Sequence, residues 1–386
     1  MYEDKSAVKN IGEYDDYAPA ETEEVDTEGL LSPFTFLCFA VILVLFGAVT
    51  LLSASYDTAL RADTAFYSPF IKEIGALFIG LVIGSAVCFV PLKYLRRFHF
   101  LLLPLYLVLS SVALFVRSCT PSFLYTSITG MTGMLTLLFL FSDIVPRISS
   151  REKGGAALIL TVAVTLLVLV TVTLVSGPAW YILGFIVITA SLVSLKTKRS
   201  FIIYFTIAAV VILAFLILTQ KKLLSSVIAS SFPIPDSPYY SSRLYESEKA
   251  ISEGGFIGVG IGNGLYKLGV IDDIEGEFVY ASMSEETGMV GTLIILFSLL
   301  MIMIICIRTS SRAWRKGEMF ISSFSLAGSS LLSFGILLNM FYISGLLPFE
   351  GLPLLLFSYN PVNEAFTVVL LCLLYKFIFR MGREKD

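Results

Sequence analysis

Apolar residues fill this chain in long uninterrupted stretches, parted by short charged or glycine–proline connections. A helix needs about 20 such residues to cross the hydrocarbon of a bilayer. The pattern predicts ten spans, near residues 31–55, 70–92, 98–117, 123–146, 155–175, 179–195, 201–219, 278–307, 319–345 and 364–380. Gly177-Pro178 separates the fifth from the sixth, so these two form a tight hairpin. Two connections are long, Lys221 to Glu277 and Leu346 to Asn363. The expected fold is all-α: a polytopic membrane protein of about ten transmembrane helices, with a large loop between helices 7 and 8.

Composition agrees. The chain is 56% hydrophobic and 15% charged, where soluble domains average about 45–50% and about 25%. A net charge of −3 gives no basis for a nucleic-acid partner. Lys and Arg set the orientation. Seventeen of the 27 cations fall in the connections around residues 93–97, 147–153, 196–199 and 308–316 and at the C-terminal end. These are expected on the cytoplasmic side, with both termini. The two long connections then face outward.

The domain organisation follows. Residues 1–30 carry ten carboxylates against Lys5 and Lys9 and are read as an acidic, disordered cytoplasmic tail, with a docking site for a cytosolic partner as the other reading. They lack the basic start of a signal peptide. Residues 31–380 form the membrane domain, with 220–277 as its extracytoplasmic loop, and 381–386 a short cytoplasmic tail. Cys38, Cys88, Cys119, Cys306 and Cys372 show no ligand spacing, and four of the five lie in apolar runs as packing residues. His99, beside Arg96 and Arg97, reads as an interfacial structural residue.

Chemistry concentrates in the first long loop. Arg243 to Glu253 suggests a short amphipathic helix at the interface, stopped by Gly254-Gly255. Gly258, Gly260, Gly262 and Gly264 then alternate along the chain. They have no strand–turn–helix context for a dinucleotide loop. Their use is either a tight backbone packed between spans or an approach of backbone N–H groups to a lipid pyrophosphate. Asp272, Asp273 and Glu275 read as a solvated turn. Glu277 abuts Phe278 at the water–lipid boundary, where partial burial makes a carboxylate a better base. Glu285 is expected about two helical turns into the membrane, and an intramembrane carboxylate is a functional hypothesis by default.

With these residues the loop resembles that of the SEDS family of polytopic cell-wall polymerases (FtsW, RodA, SpoVE). The matches are Ser247, Ala250-Ile251, Gly254-Gly255, Gly258, Gly260, Gly262, Lys267, Phe278, Ala281, Glu285-Glu286, Gly288 and Gly291, without a gap. Asp273 stands where the family has a glutamate. A second block matches at Asn339, Gly345-Leu346-Leu347-Pro348, Gly351, Pro353-Leu354 and Ser358-Tyr359. Departures are equally specific. Glu277 replaces the family's catalytic aspartate, Val259 a lysine, Gly264 a serine, and Asn360-Pro361-Val362-Asn363 a Gly-Gly-Ser-Ser run. Two motifs of the N-terminal half, one after span three and one near span five, are missing.

The resemblance implies a peptidoglycan glycosyltransferase of the bacterial inner (cytoplasmic) membrane. Such a protein polymerises lipid II onto a growing lipid-linked glycan during division, elongation or sporulation, beside a class B penicillin-binding protein. Glu277 would be the catalytic base. Lys267, Arg243 and Lys249 are candidates for pyrophosphate contact, and only Lys267 matches a family position. Glu285, Asn339, Ser358 and Tyr359 complete the candidate substrate-binding set. A divalent metal, Mg or Mn, would neutralise the leaving group, with ligands unassigned and no organic cofactor expected. Two other readings stand beside this one: a degenerate scaffold for the penicillin-binding protein, or a transporter of lipid-linked precursor. The scarcity of charge in the spans argues against the transporter.

Overall fold

The computed structural model describes residues 32–54, 56, 68–117, 123–149, 155–195, 199–219, 242–271, 274, 276–347 and 352–383. The acidic tail, Cys119, and Asp272, Asp273 and Glu275 lie outside them, as does 220–241. The described elements are all helices: α1 Pro33–Ala54, α2 Ser68–Phe89, the single turn α3 Leu92–Leu95, α4 His99–Arg117, α5 Phe123–Ser149, α6 Gly155–Ser176, α7 Pro178–Ser194, α8 Arg199–Thr219, α9 Ser242–Gly254, α10 Val279–Arg315, α11 Met319–Ile343 and α12 Pro361–Arg383.

Seven described segments are long and apolar enough to cross a membrane, and three shorter apolar helices stand where spans five to seven are predicted. The chain is an all-α, multi-pass membrane protein. The expected hairpin forms at Gly177, whose φ of 107° only glycine adopts readily, with Pro178 as the first helical residue. Span eight is longer than predicted. It runs to Arg315 because Arg308, Arg312 and Arg315 extend the helix, and two of these cations meet the negative end of its dipole in the last turn. Gly317, at φ 78°, stops it.

Helices α5 and α11 are enclosed on nearly every side, whereas α1, α2 and α4 present most of their surface outward to lipid. The sequence of α11 explains its place. Ser322, Ser323, Ser325, Gly328, Ser329, Ser330, Ser333 and Gly335 are small, and small faces let helices α5, α7 and α10 approach closely. A cluster of Phe139, Phe320, Phe324 and Phe377, with ring centroids 5.0–6.4 Å apart, fills the space between α5, α11 and α12.

Connections assigned to one side of the membrane meet in space. Glu318, between α10 and α11, accepts from Arg96 at 2.7 Å and from Arg380 at 3.2 Å, joining three connections of the predicted cytoplasmic set. His99 is buried with its Nδ1 3.0 Å from the Arg96 carbonyl and 3.7 Å from Asp143, a structural position.

The second long connection is shorter than predicted, because α12 begins at Pro361. Asn360 Oδ1 accepts the Asn363 N–H at 3.2 Å, an N-cap followed by proline at the first helical position. The Asn-Pro-Val-Asn departure from the family pattern is thus a helix start.

Candidate functional site at the glycine-rich loop and the broken helix

Helix α10 is broken near its N-terminal end. Gly288 sits at φ 62°, ψ −158°, a conformation reserved for glycine, and the hydrogen-bond ladder opens there. Freed polar groups inside a membrane must find partners. The glycine-rich loop supplies them. Met289 and Val290 donate to the carbonyls of Gly255 and Phe256 at 3.0 and 3.2 Å. Val259 and Gly260 donate in turn to the carbonyls of Glu285 and Glu286, both at 3.0 Å. A side chain at Gly254 would overlap the Ser284 carbonyl, and one at Gly258 the Glu286 carbonyl. Close backbone approach is therefore what these two glycines provide. The uninterrupted span predicted over 278–307 is replaced by a kinked one.

Two carboxylates fasten the loop from the helix side. Glu285 accepts the backbone N–H groups of Leu265 and of Tyr266, the latter at 3.2 Å. Glu286 pairs with Lys267 at 2.6 Å, both side chains 3% exposed. Ser53, on α1, accepts from Lys267 at 2.7 Å and donates to Glu286 at 2.6 Å. This closed triangle ties α1, the loop and α10 together. Tyr266 donates to Glu253 at 2.7 Å. Burial first, then the hydrogen bond and charge of Glu253 and the charges of Glu246 and Glu285, push its phenol up to about 12.

Helix α9 forms as predicted and packs its Leu244, Ser247 and Ala250 face onto α10. Ser247 donates to the Ile343 carbonyl at 3.2 Å, at the end of α11. Gly345, at φ 71°, turns the chain out of α11 beneath Glu248.

Glu277 lies at the end of this loop, half-buried, one residue before the cap of α10. Its carbonyl accepts from Asn339 Nδ2 at 3.0 Å, and the same amide donates to the Leu352 carbonyl at 2.6 Å. Asn339 is fully buried, and its Oδ1 has no partner. The Arg243 guanidinium stands 5.3 Å over the ring of Phe278, next to Glu277. One amide thus brings the end of the loop before α10 to the segment before α12, with a carboxylate and an arginine at the junction.

The eight predicted site residues divide. Glu277, Arg243 and Asn339 come together. Lys249 is exposed on α9, over the Tyr245 ring at 5.9 Å. Lys267 and Glu285 are placed inside the membrane domain and engaged with the loop's own groups, because the loop folds inward onto α10 instead of lying over it. Ser358 is buried in a turn that donates to the Leu354 carbonyl at 3.0 Å, and Tyr359 is half-buried beside it. Sequence reasoning missed Glu286 and Ser53 as partners of Lys267, and two further buried acids, Glu73 and Glu364. The signal was there: a carboxylate inside an apolar run needs a partner or a purpose.

A family described as cell cycle protein, FtsW/RodA/SpoVE, matches residues 34–379. A "Probable peptidoglycan glycosyltransferase FtsW" of Alcanivorax borkumensis is 27% identical over 94% of this chain and 96% of its own length. One of the same description from Buchnera aphidicola is 26% identical over 48% of this chain, a match that spans only 52% of that relative. Among solved structures, a chain described under "Structural coordination of polymerization and crosslinking by a peptidoglycan synthase complex" superposes with a TM-score of 0.66. It shares 18% identity and the match covers 92% of this chain and 98% of that one, a likeness of fold.

Proposed function

The chain belongs to the FtsW/RodA/SpoVE family of cell cycle proteins, and from that membership we propose that it is a peptidoglycan glycosyltransferase of the bacterial inner membrane. It polymerises lipid II on the outer face. A sugar hydroxyl of one lipid-linked unit attacks the anomeric carbon of another. The new glycosidic bond forms as the bond to undecaprenyl pyrophosphate breaks. The pyrophosphate leaves with the electron pair, so the substrate arrives activated and no cytosolic nucleotide is needed.

In this reading Glu277 takes the hydroxyl proton. Arg243 faces the leaving pyrophosphate, where positive charge lowers the barrier. The observation that supports it best is the Asn339 bridge, which fixes the backbone of Glu277 against the second outward segment. A base is effective only when held in register with the proton it removes. Glutamate for aspartate changes intrinsic acidity by about 0.4 units, but moves the oxygens by about an ångström, which can cost around 10² in rate. Geometry therefore sets the activity. A divalent metal, Mg or Mn, would neutralise pyrophosphate charge when bound. Among the described residues no three ligating side chains converge, so the described chain offers it no cage, and no step is assigned to it.

The test is polymerisation of purified lipid II by wild type and by Glu277→Gln. We expect glycan from the wild type and a loss of at least about 10² in the variant. Equal activity in both removes Glu277 from the mechanism. A second reading rests on the same position: with glutamate where the family has aspartate, the chain acts as a scaffold for a class B penicillin-binding protein. No glycan from the wild type, with the penicillin-binding protein still co-purifying, selects that reading.

A further inference from the structure

Away from the outward loop, helices α2 and α12 pack along a seam of small residues. A side chain at Gly80 would overlap the backbone of Ala365, and one at Gly84 the side chain of Cys372. Glu73 lies two helical turns before Gly80, on the same face. Glu364 immediately precedes Ala365. The close seam therefore drives both carboxyl groups inward, to 2% and 3% exposure. They line one cavity of about 10 Å³ with Gly47, Leu51, Phe70 and Leu356, about the smallest space that admits a single water.

Among the described residues neither acid has a counter-charge. Both oxygens of Glu73 and Oε2 of Glu364 lack a hydrogen-bond partner. The Asn360 amide, which approaches Glu73, already donates to the Ser358 carbonyl at 2.7 Å. Helix α1 carries no charged residue, and residues 352–360 carry none. Lys72 points outward, exposed. Lys376, three turns along α12, donates to the Val87 and Val90 carbonyls, and Arg380 to Glu318. Two negative charges in an apolar seam would force the helices apart, whereas a carboxyl–carboxylate pair that holds a proton closes on itself.

We propose that Glu73 and Glu364 form a proton-binding site within the membrane domain, whose occupancy clamps α2 to α12. The ligand is a proton shared between two carboxyl groups. A metal ion is disfavoured by the lining, which past the two acids is apolar and offers few further oxygen ligands. Through Asn360 and Glu364 the site is joined to the turn bearing Ser358 and Tyr359. This inference is independent of glycosyl transfer.

The experiment uses the full chain in lipid nanodiscs. Infrared difference spectra in H₂O and D₂O report a carboxylic-acid C=O stretch, and thermal melts report stability. We expect an acid band in the wild type that is lost in the Glu73→Gln/Glu364→Gln variant, which melts no earlier because the amides pair without charge. If the double variant does not fold, Glu364→Gln alone is read by the same band. An unchanged acid band in the variant overturns the proposal. So does a melting temperature that Mn²⁺ or Na⁺ raises at constant pH in the wild type but not in the variant, since the guest is then a metal ion.

Discussion

Replacing Lys267 by methionine tests the loop's attachment most directly. The side chain keeps its length and apolar stem but loses its charge. Glu286 then remains 3% exposed with Ser53 as its one hydrogen-bonding partner. Removing one member of a buried ion pair costs about 3–5 kcal/mol, most of it the stranded charge. The partner substitutions separate charge from packing. In Lys267→Met/Glu286→Leu the stranded charge is gone, and such apolar replacements are often neutral or stabilising by about 1–4 kcal/mol. The Ser53 hydroxyl is left without either partner, at about 1–3 kcal/mol. Adding Ser53→Ala removes that cost. The expected order of stability is single variant lowest, double intermediate, triple near wild type. Urea unfolding in mixed micelles, followed by Trp180 and Trp314 fluorescence, reads it. A Lys267→Met variant within about 0.5 kcal/mol of wild type, the range of ordinary surface changes, refutes the reasoning. A triple variant as unstable as the single refutes it too.

Gly258→Ala should destabilise more than Gly262→Ala. Both sit at positive φ, 84° and 89°, which costs about 1–2 kcal/mol for a residue with Cβ, but only the first would strike the Glu286 carbonyl; equal losses on unfolding would dismiss the close approach. Asn339→Leu removes the amide that joins the Glu277 and Leu352 carbonyls, so turnover of lipid II should fall by up to about 10² with KM little changed; unaltered turnover separates the bridge from catalysis. Tyr266 stays protonated in the folded protein to about 12 against 10.0 unperturbed. The folded state therefore binds more protons across that window, and stability falls as pH rises through it. Tyr266→Phe should flatten that part of the pH–stability curve.

Much of the fold was legible because lipid allows so few solutions. Runs of apolar residues placed each of the long described helices to within a few positions, except α10, which its cationic residues prolong to Arg315. The amphipathic α9 and its stop at Gly254 followed from local chemistry alone. The break at Gly288 did not. A single glycine in an apolar run has many uses, and only the loop's inward fold creates the strain and the partners that make it a break. The partners of Lys267 were hidden for the same reason. Read along the chain it is a loop cation near water; in space it faces a glutamate 19 residues on and a serine from the first span. Glu73 went unnoticed because nothing in its own stretch pointed to Glu364, 291 positions away.

The four reciprocal backbone bonds around Gly288 give the glycine-rich loop an unusual kind of permanence. A segment that swings open on cue must drop its contacts, and here four close together would have to be lost at once. Epitope tags, protease sites or fluorophores should therefore be tolerated at the bare tip near Gly262, where an added Cβ would meet nothing within 4 Å, and nowhere along residues 254–260. A chain severed at that tip would keep its two ends seated, and any opening that admits a polymer must be sought among other helices.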